Sequence, residues 1–398
     1  MNILFLEMEQ QNLQLQKKLV QDGHTVVSAQ NEFIEYYEHF GIECTDMIPY
    51  RTEYKEELGR GIWAGSPARV KQVIDAYEID TIWCSCPAIR QGILINESVV
   101  ANTNFLAPTE KALNLETSKI FARKFAEECG IKVPEIYSSG EDHLSFVPDE
   151  NIPEQFIIKP SNWWHSAAII GNHGHWDTFK DKWMPFSSPY FCEEMIKGKE
   201  TNISYIMSEG KWAFTFSESC DESKAKILGG VDPCAWFYGT VVEQLSPEED
   251  QMVRGNVVEY LNQAAKLGGT YEGSITQMLG EDGELYFLEN NVRPYVHNTF
   301  PIPFSGTEYL DAFMNNPKKI GDWFEGRKFP KLVFQGGEEY PLHLNTKYNI
   351  AEPTGITLKD GKWYVESGAI ITVFEDEINM DFVNELEKES DFKAYWGD

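Results

Sequence analysis

The sequence predicts a chain of mixed class, α/β at its start and α+β beyond, and three observations lead there. Short apolar strands alternate with helical patterns in the first part: Asn2 to Leu6, Gln10 to Gln21, Thr25 to Ser28, Pro67 to Tyr77 and Thr81 to Cys84. That order builds a small parallel sheet with helices on its faces. Further on, Gly273 to Leu279 and Tyr286 to Pro294 read as two strands around the turn Gly280-Glu281-Asp282-Gly283, an antiparallel hairpin. After Pro301, short strand patterns near 332–335, 363–366 and 369–374 read as a small α+β segment, and the acidic stretch 375–389 as a solvated helix.

Composition narrows the function. A chain of 398 residues fits two to four subdomains, and 42% hydrophobic with 13% aromatic residues is the make-up of a folded globular protein. With a formal charge of -29 and no basic patch, no direct binding to nucleic-acid phosphates is expected. The seven cysteines are odd in number and lack paired metal-ligand spacing, which fits a reducing compartment rather than a disulfide framework. Cys84 and Cys86 read as buried structural thiols. With no basic leader and no long apolar run, the expectation is a soluble, cytoplasmic protein.

The hairpin carries the chemistry. Glu289, Asn291 and Arg293 stand at every second position, so an extended strand aims all three at one face. A carboxylate and an amide oxygen suit magnesium, which shares its shell with substrate phosphates, and the guanidinium suits a neighbouring oxyanion. Gln277, on the first strand, is expected to reach the same ion. An exposed hairpin with solvated ends fits the local pattern equally well.

The acid-x-Asn-x-Arg run, with an oxygen ligand twelve residues before the acid, resembles the metal site of the ATP-grasp carboxylate-amine ligases. Within them the chain is most similar to glycinamide ribonucleotide synthetase, the phosphoribosylamine-glycine ligase. Arg293-Pro294-Tyr295-Val296-His297-Asn298 also resembles the aminoimidazole ribonucleotide carboxylating ligase. The resemblance implies an ATP-grasp fold with an N-terminal Rossmann-like (pre-ATP-grasp) domain at 1–107. It implies a grasp domain at 108–304 with a mobile lid at about 135–192, and a small C-terminal α+β domain at 305–398.

Taken in order, the remaining motifs fill in that resemblance. At the end of the first strand, Glu7-Met8-Glu9-Gln10 stands where the relatives carry a glycine-rich phosphate turn; without glycines the backbone does not approach a phosphate closely, and two glutamates repel it. Arg90, in the place of a substrate loop, either meets an anion or is a solvated surface residue. Phe105 to Thr109, Leu115 to Lys119 and Gly130 to Pro134, around an expected helix from Glu116 to Cys129, resemble the entry to the grasp domain, and the likeness assigns Lys119 to the nucleotide phosphates. Phe156-Ile157-Ile158-Lys159-Pro160 is a β-branched strand ending in the second nucleotide lysine, Lys159.

Beyond it, Ser161 to Ile170 replaces a glycine-rich phosphate loop with a segment carrying two tryptophans and a histidine. Tyr190 to Asn202 resembles the adenine hinge. There the backbone at Glu194 and Ile196 is assigned to adenine, Glu193 to adenine or lid positioning, and Glu200 to ribose; an exposed charged turn is the alternative. Lys226 is assigned to the γ-phosphate or substrate, or is a solvated loop lysine. Pro247 to Lys266 reads as an amphipathic helix behind the metal-bearing sheet.

The implied reaction joins a carboxylate, a small amino acid such as glycine, to an amine through an acyl phosphate. The implied cofactors are ATP and Mg2+ or Mn2+, the implied partners a small-molecule acid and amine. Arg293 and Lys226 are the expected catalytic residues, with Arg90, His297 and Asn298 at the substrate. The true phosphoribosylamine-glycine reaction and a catalytically silent nucleotide-binding module stand as alternatives.

Overall fold

Five parallel strands, β1 (Asn2–Leu6), β2 (Thr25–Ala29), β3 (Glu43–Thr45), β4 (Thr81–Cys84) and β5 (Asn104–Leu106), pair in the order β3-β2-β1-β4-β5. Helices α1 (Leu13–Gln21), α2 (Ile34–His39) and α3 (Pro67–Tyr77) connect them. Ile3, Phe5 and Trp83 face Leu13, Leu15 and Leu19 of α1, while Leu4, Leu6 and Ile82 face Val70, Val73 and Ile74 of α3. Burial on both faces explains why β1 and β4 read as unbroken apolar runs. Cys84 is buried among them, as expected. The computed structural model describes residues 1–6, 12–29, 34–45, 67–85, 90, 97–139, 153, 156–161, 169–171, 190–221, 241–243, 245–294, 304–325, 331–333, 338–339, 356–359, 362–365 and 370–372.

The single helix expected from Glu116 to Cys129 is two, α4 (Glu110–Thr117) and α5 (Lys119–Glu128). Ser118 breaks the run with extended dihedrals (φ -131°, ψ 96°), and its Oγ accepts from Phe121 N–H at 3.3 Å. A serine that caps the following helix competes with the helical ladder it interrupts. As a result Lys119 opens α5 and is buried.

A four-stranded antiparallel sheet follows, β6 (Ile136–Ser139), β7 (Phe156–Pro160), β8 (Ile169–Gly171) and β9 (Tyr190–Glu194), in the order β6-β9-β7-β8. A second antiparallel sheet has the order β12-β11-β10-β13-β14: β10 (Gly198–Ser208), β11 (Lys211–Asp221), β12 (Val241–Glu243), β13 (Thr270–Gly280) and β14 (Leu285–Asn291). The expected hairpin is β13–β14. Helix α6 (Pro247–Ala264) starts at a capping box made by Ser246 and Glu249. Its Val253, Val257, Tyr260 and Leu261 pack on Ile203, Ile275 and Phe287, so it covers the back of this sheet as its pattern predicts.

Helix α7 (Gly306–Asn315) returns to the first sheet, where Phe313 stacks on Trp83 with ring centroids 4.1 Å apart, and α8 (Pro317–Phe324) packs on β11. Two glycines permit these approaches. A Cβ on Gly306 would stand 2.5 Å from Leu19 N, and one on Gly321 2.6 Å from the Phe214 carbonyl. Beyond them lie β15 (Lys331–Val333), β16 (Glu338–Glu339), β17 (Ile356–Lys359), β18 (Lys362–Val365) and β19 (Ile370–Thr372), pairing as β15-β19 and β16-β18-β17. The acidic stretch 375–389 lies outside the described residues. Among the described residues no helix is long and apolar enough to cross a membrane.

Candidate active site

β14 is the outermost strand of its sheet, and the elements beside it take up its outward backbone groups. Phe287 N–H donates to the Lys132 carbonyl at 2.8 Å, the Phe287 carbonyl accepts from Arg123 Nη1 at 3.0 Å, and Val292 N–H donates to Glu116 Oε2 at 2.8 Å. Covering the edge satisfies groups that would otherwise template aggregation, and it brings α4 and α5 against the end of the strand. Strand alternation turns Glu289 and Asn291 to one face, where Asn291 Nδ2 donates to Glu289 Oε1 at 3.3 Å. Arg293, just past the strand, donates from Nε to Glu116 Oε1 at 2.7 Å.

Charges from four elements gather at this corner. Lys119 Nζ lies 3.6 Å from Glu289 Oε2, and its backbone N–H donates to the Ser161 carbonyl at the end of β7. Lys159, on β7, places Nζ 2.9 Å from Glu193 Oε1, while Arg123 Nη2 of α5 stands 2.5 Å from Glu193 Oε2 on β9. Lys119, Arg123 and Lys159 against Glu193 and Glu289 leave one positive charge, in a chain of formal charge -29. It is also buried, with the side chains of Arg123 and Glu193 each 1% exposed. An uncompensated buried cation is costly unless an anion joins it, so the cluster suits a polyanion.

Burial pushes the Lys119 ammonium below its ordinary range, against the opposing charge of Glu289. At Glu289 burial pushes the carboxyl up, but Lys119, Lys159, the Asn291 hydrogen bond and Arg293 together bring it below its usual value. It is therefore ionised at neutral pH. Burial raises Glu116, with Arg293 opposing. An ionised carboxylate beside an amide offers the hard oxygen donors that Mg2+ or Mn2+ takes. Among the described residues no group of three or more His, Cys, Asp or Glu gathers, so a cation at Glu289 and Asn291 would complete its shell with phosphate oxygens and water.

Gln277 is not part of this corner. Counted back from the turn, an unbroken ladder puts Gln277 and Glu289 on one face, but the register shifts between Thr276 and Gln277, so Gln277 pairs with Phe287 and Thr276 with Glu289. One inserted residue flips the face. Gln277 turns to α6, where its Oε1 accepts from Asn256 Nδ2 and its Nε2 donates to the Val253 carbonyl at 3.1 Å. The side chains that share the Glu289 face are Thr276 and, on β10, Asn202; Thr276 Oγ1 donates to Asn202 Oδ1 at 2.7 Å.

Other expectations also change. Arg90 is not a solvated surface residue: it is buried, its Nε donates to the Pro108 carbonyl at 2.7 Å, and its Nη2 pairs with Glu97 at 3.0 Å. Glu193 has both carboxylate oxygens taken by Lys159 and Arg123, which leaves it no edge to offer adenine. Glu194 donates its backbone N–H to the Glu135 carbonyl at 2.8 Å, so that amide is spent within the chain. Ile196 is half-buried in the connection from β9 to β10. Glu200, half-buried on β10, shares the face of Asn202 and accepts from its Nδ2 at 3.5 Å.

Lys226, His297 and Asn298 lie outside the described residues, as do Glu7 to Gln10 and 162–168. Sequence reasoning missed Arg123, Glu116, Thr276 and Asn202. The first two are charged residues on apolar helix faces, a signal the pattern did contain.

No protein-family model matches the chain, and no curated protein matches it by sequence. Solved structures do match its fold. N5-carboxyaminoimidazole ribonucleotide synthetase from Thermotoga maritima is similar at 13% identity and a TM-score of 0.62, with 99% of each chain covered. Phosphoribosylamine-glycine ligase from the same organism is similar at 15% identity and a TM-score of 0.60, covering 100% of this chain and 99% of that one. An L-amino acid ligase from Bacillus licheniformis is similar at 14% identity and a TM-score of 0.64, covering 99% and 98%. The chain has the ATP-grasp fold, with the parallel and antiparallel sheets that its sequence led us to expect.

Proposed function

We propose that the chain binds ATP beside the Lys119–Lys159 corner and uses it to join a carboxylate, a small amino acid such as glycine, to an amine, releasing ADP and phosphate. The observation that supports this most is the buried net positive charge, assembled from α5, β7, β9 and β14 next to an ionised Glu289. Lys119 and Lys159 then face the terminal phosphates. Ile196 lies along the adenine, and Glu200 takes the ribose. Glu289 and Asn291 would hold Mg2+ or Mn2+, which supplies neutralisation of the phosphate charge.

A carboxylate oxygen attacks the γ-phosphorus as the bond to the ADP oxygen breaks. The amine then forms the C–N bond as phosphate leaves the acyl carbon, and the amine proton passes to solvent or phosphate. Such phosphoryl transfer needs positioning and charge rather than a protein nucleophile. Arg293, now paired with Glu116, is assigned to the charge developing on the carboxylate, with Lys226, His297 and Asn298 beside it.

A second reading, with phosphoribosylamine as the amine, draws on the likeness to the ligase of that name. Glu7 and Glu9 oppose it. Two acids near a phosphomonoester cost roughly 1 kcal/mol per pair at about 4 Å even in a water-like dielectric.

The deciding experiment measures ADP and phosphate release over amino acids crossed with amines, with products read by mass spectrometry. Substrate-dependent AMP and pyrophosphate, or no MgATP binding by calorimetry, would overturn the proposal. Fastest turnover of phosphoribosylamine with glycine would restore the second reading.

A further inference from the structure

We infer that Arg123 is a positioning residue for the nucleotide phosphates, acting through Glu193 on Lys159; this rests on the ATP site proposed above. One guanidinium joins three elements. From α5 it meets Glu193 Oε2 on β9 through Nη2 at 2.5 Å and the Phe287 carbonyl on β14 through Nη1 at 3.0 Å. Its carbon also lies 5.4 Å from the Phe191 ring centroid. Glu193 passes the constraint on, since its other oxygen holds Lys159 Nζ at 2.9 Å. The metal-side strand and a phosphate-side lysine are thereby referenced to the same rigid group, with Glu289 two residues along from Phe287.

Stability alone gives little reason for this arrangement. Buried ion pairs are often no better than well-packed apolar residues of the same volume, and the Arg123–Glu193–Lys159 triad keeps an excess positive charge away from water. Arg123 Nε, fully buried, makes no hydrogen bond, and the contact of Nη2 with Glu193 Oε2 is an ion pair without hydrogen-bond geometry, a further cost. A group kept at such cost, one bond removed from a lysine that faces the phosphate site, serves that lysine's geometry. A lysine at position 123 would be a poor substitute, because a point charge lacks the fork that meets a carboxylate and a carbonyl in fixed directions.

The test is a binding cycle on the full chain by calorimetry, with MgATP and with adenosine as probes. Arg123→Lys should weaken MgATP by about tenfold while changing adenosine less than about twofold, because only the phosphates meet Lys159. A residue with a merely structural role would weaken both alike. The double variant Arg123→Lys with Lys159→Ala should bind MgATP no more weakly than Lys159→Ala alone. If Arg123→Lys does not fold, Glu193→Gln, which keeps the shape and removes the charge, enters the same cycle in its place.

Equal losses for the two ligands, or additive effects of the two substitutions, would overturn the inference and leave the ATP site standing. Failure of the parent chain to bind MgATP would remove both.

Discussion

Lys159 and Lys119 face the same corner and are held in opposite ways. The partner of Lys159 is Glu193, 1% exposed, shared with a second cation and 2.9 Å away. The partner of Lys119 is Glu289, 31% exposed and 3.6 Å away. A carboxylate buried between two cations has no solvent to turn to, so Lys159 is set in place before any ligand arrives. The pair of Lys119 is longer, and its carboxylate borders solvent; at the proposed ATP site a phosphate would draw Lys119 from Glu289 as Glu289 turned to a metal. The difference teaches that one corner holds two lysines under unlike constraint.

The strongest way to break that contrast is Glu193→Ala. It leaves Arg123 and Lys159 buried without their counter-charge and is expected to lower stability by about 3–5 kcal/mol in urea unfolding. A loss under about 1 kcal/mol would mean that the clamp is not rigid.

Glu272 supplies a third case, a carboxyl held by a phenol instead of a lysine. Tyr309 Oη donates to its Oε1 at 2.8 Å, and burial pushes its pKa from 4.5 up to about 7. Between those values the native state binds more protons than the unfolded chain, so this group's contribution is full below pH 4.5 and lost as pH rises through about 7. Glu272→Gln should flatten that pH dependence by up to about 3 kcal/mol, measured by urea melts at pH 5 and pH 8. An unchanged slope would show that Glu272 titrates normally.

Glu289→Ala sharpens the other side of the comparison. Without nucleotide it should cost less than Glu193→Ala, because Glu289 is 31% exposed and holds one lysine where Glu193 is 1% exposed and holds two cations, yet it should abolish magnesium-dependent ATP binding in calorimetry. A stability loss matching that of Glu193→Ala would erase the distinction between the two lysines.

The smallest expected effect is that of Gln277→Met. Its side chain lies on the α6 face, so MgATP affinity should stay within about twofold of the parent. A tenfold loss of magnesium-dependent binding would return Gln277 to the metal site.

Much of this was legible in the sequence. Alternation marks Glu289 and Asn291 as neighbours on one face because the period of a strand is local and does not depend on its partners. The apolar runs of β1 and β4 announce a sheet buried on both sides, Gly280 to Gly283 announces the turn, and the β-branched run before Lys159 announces the strand that delivers it. Each of these follows from steric and solvation preferences acting over a few residues.

Tertiary structure alone decided which of these residues meet. The shift that leaves Leu288 of β14 unpaired put Gln277 and Glu289 on opposite faces, because register is set by pairing between strands and one inserted residue reverses every side chain beyond it. Ser118 split a continuous helical pattern and buried Lys119. Arg123 sits in an amphipathic helix where its sequence neighbours say nothing of Glu193, 70 positions away. A charge finds its partner across elements, through distances of a few ångströms that only the packed chain defines.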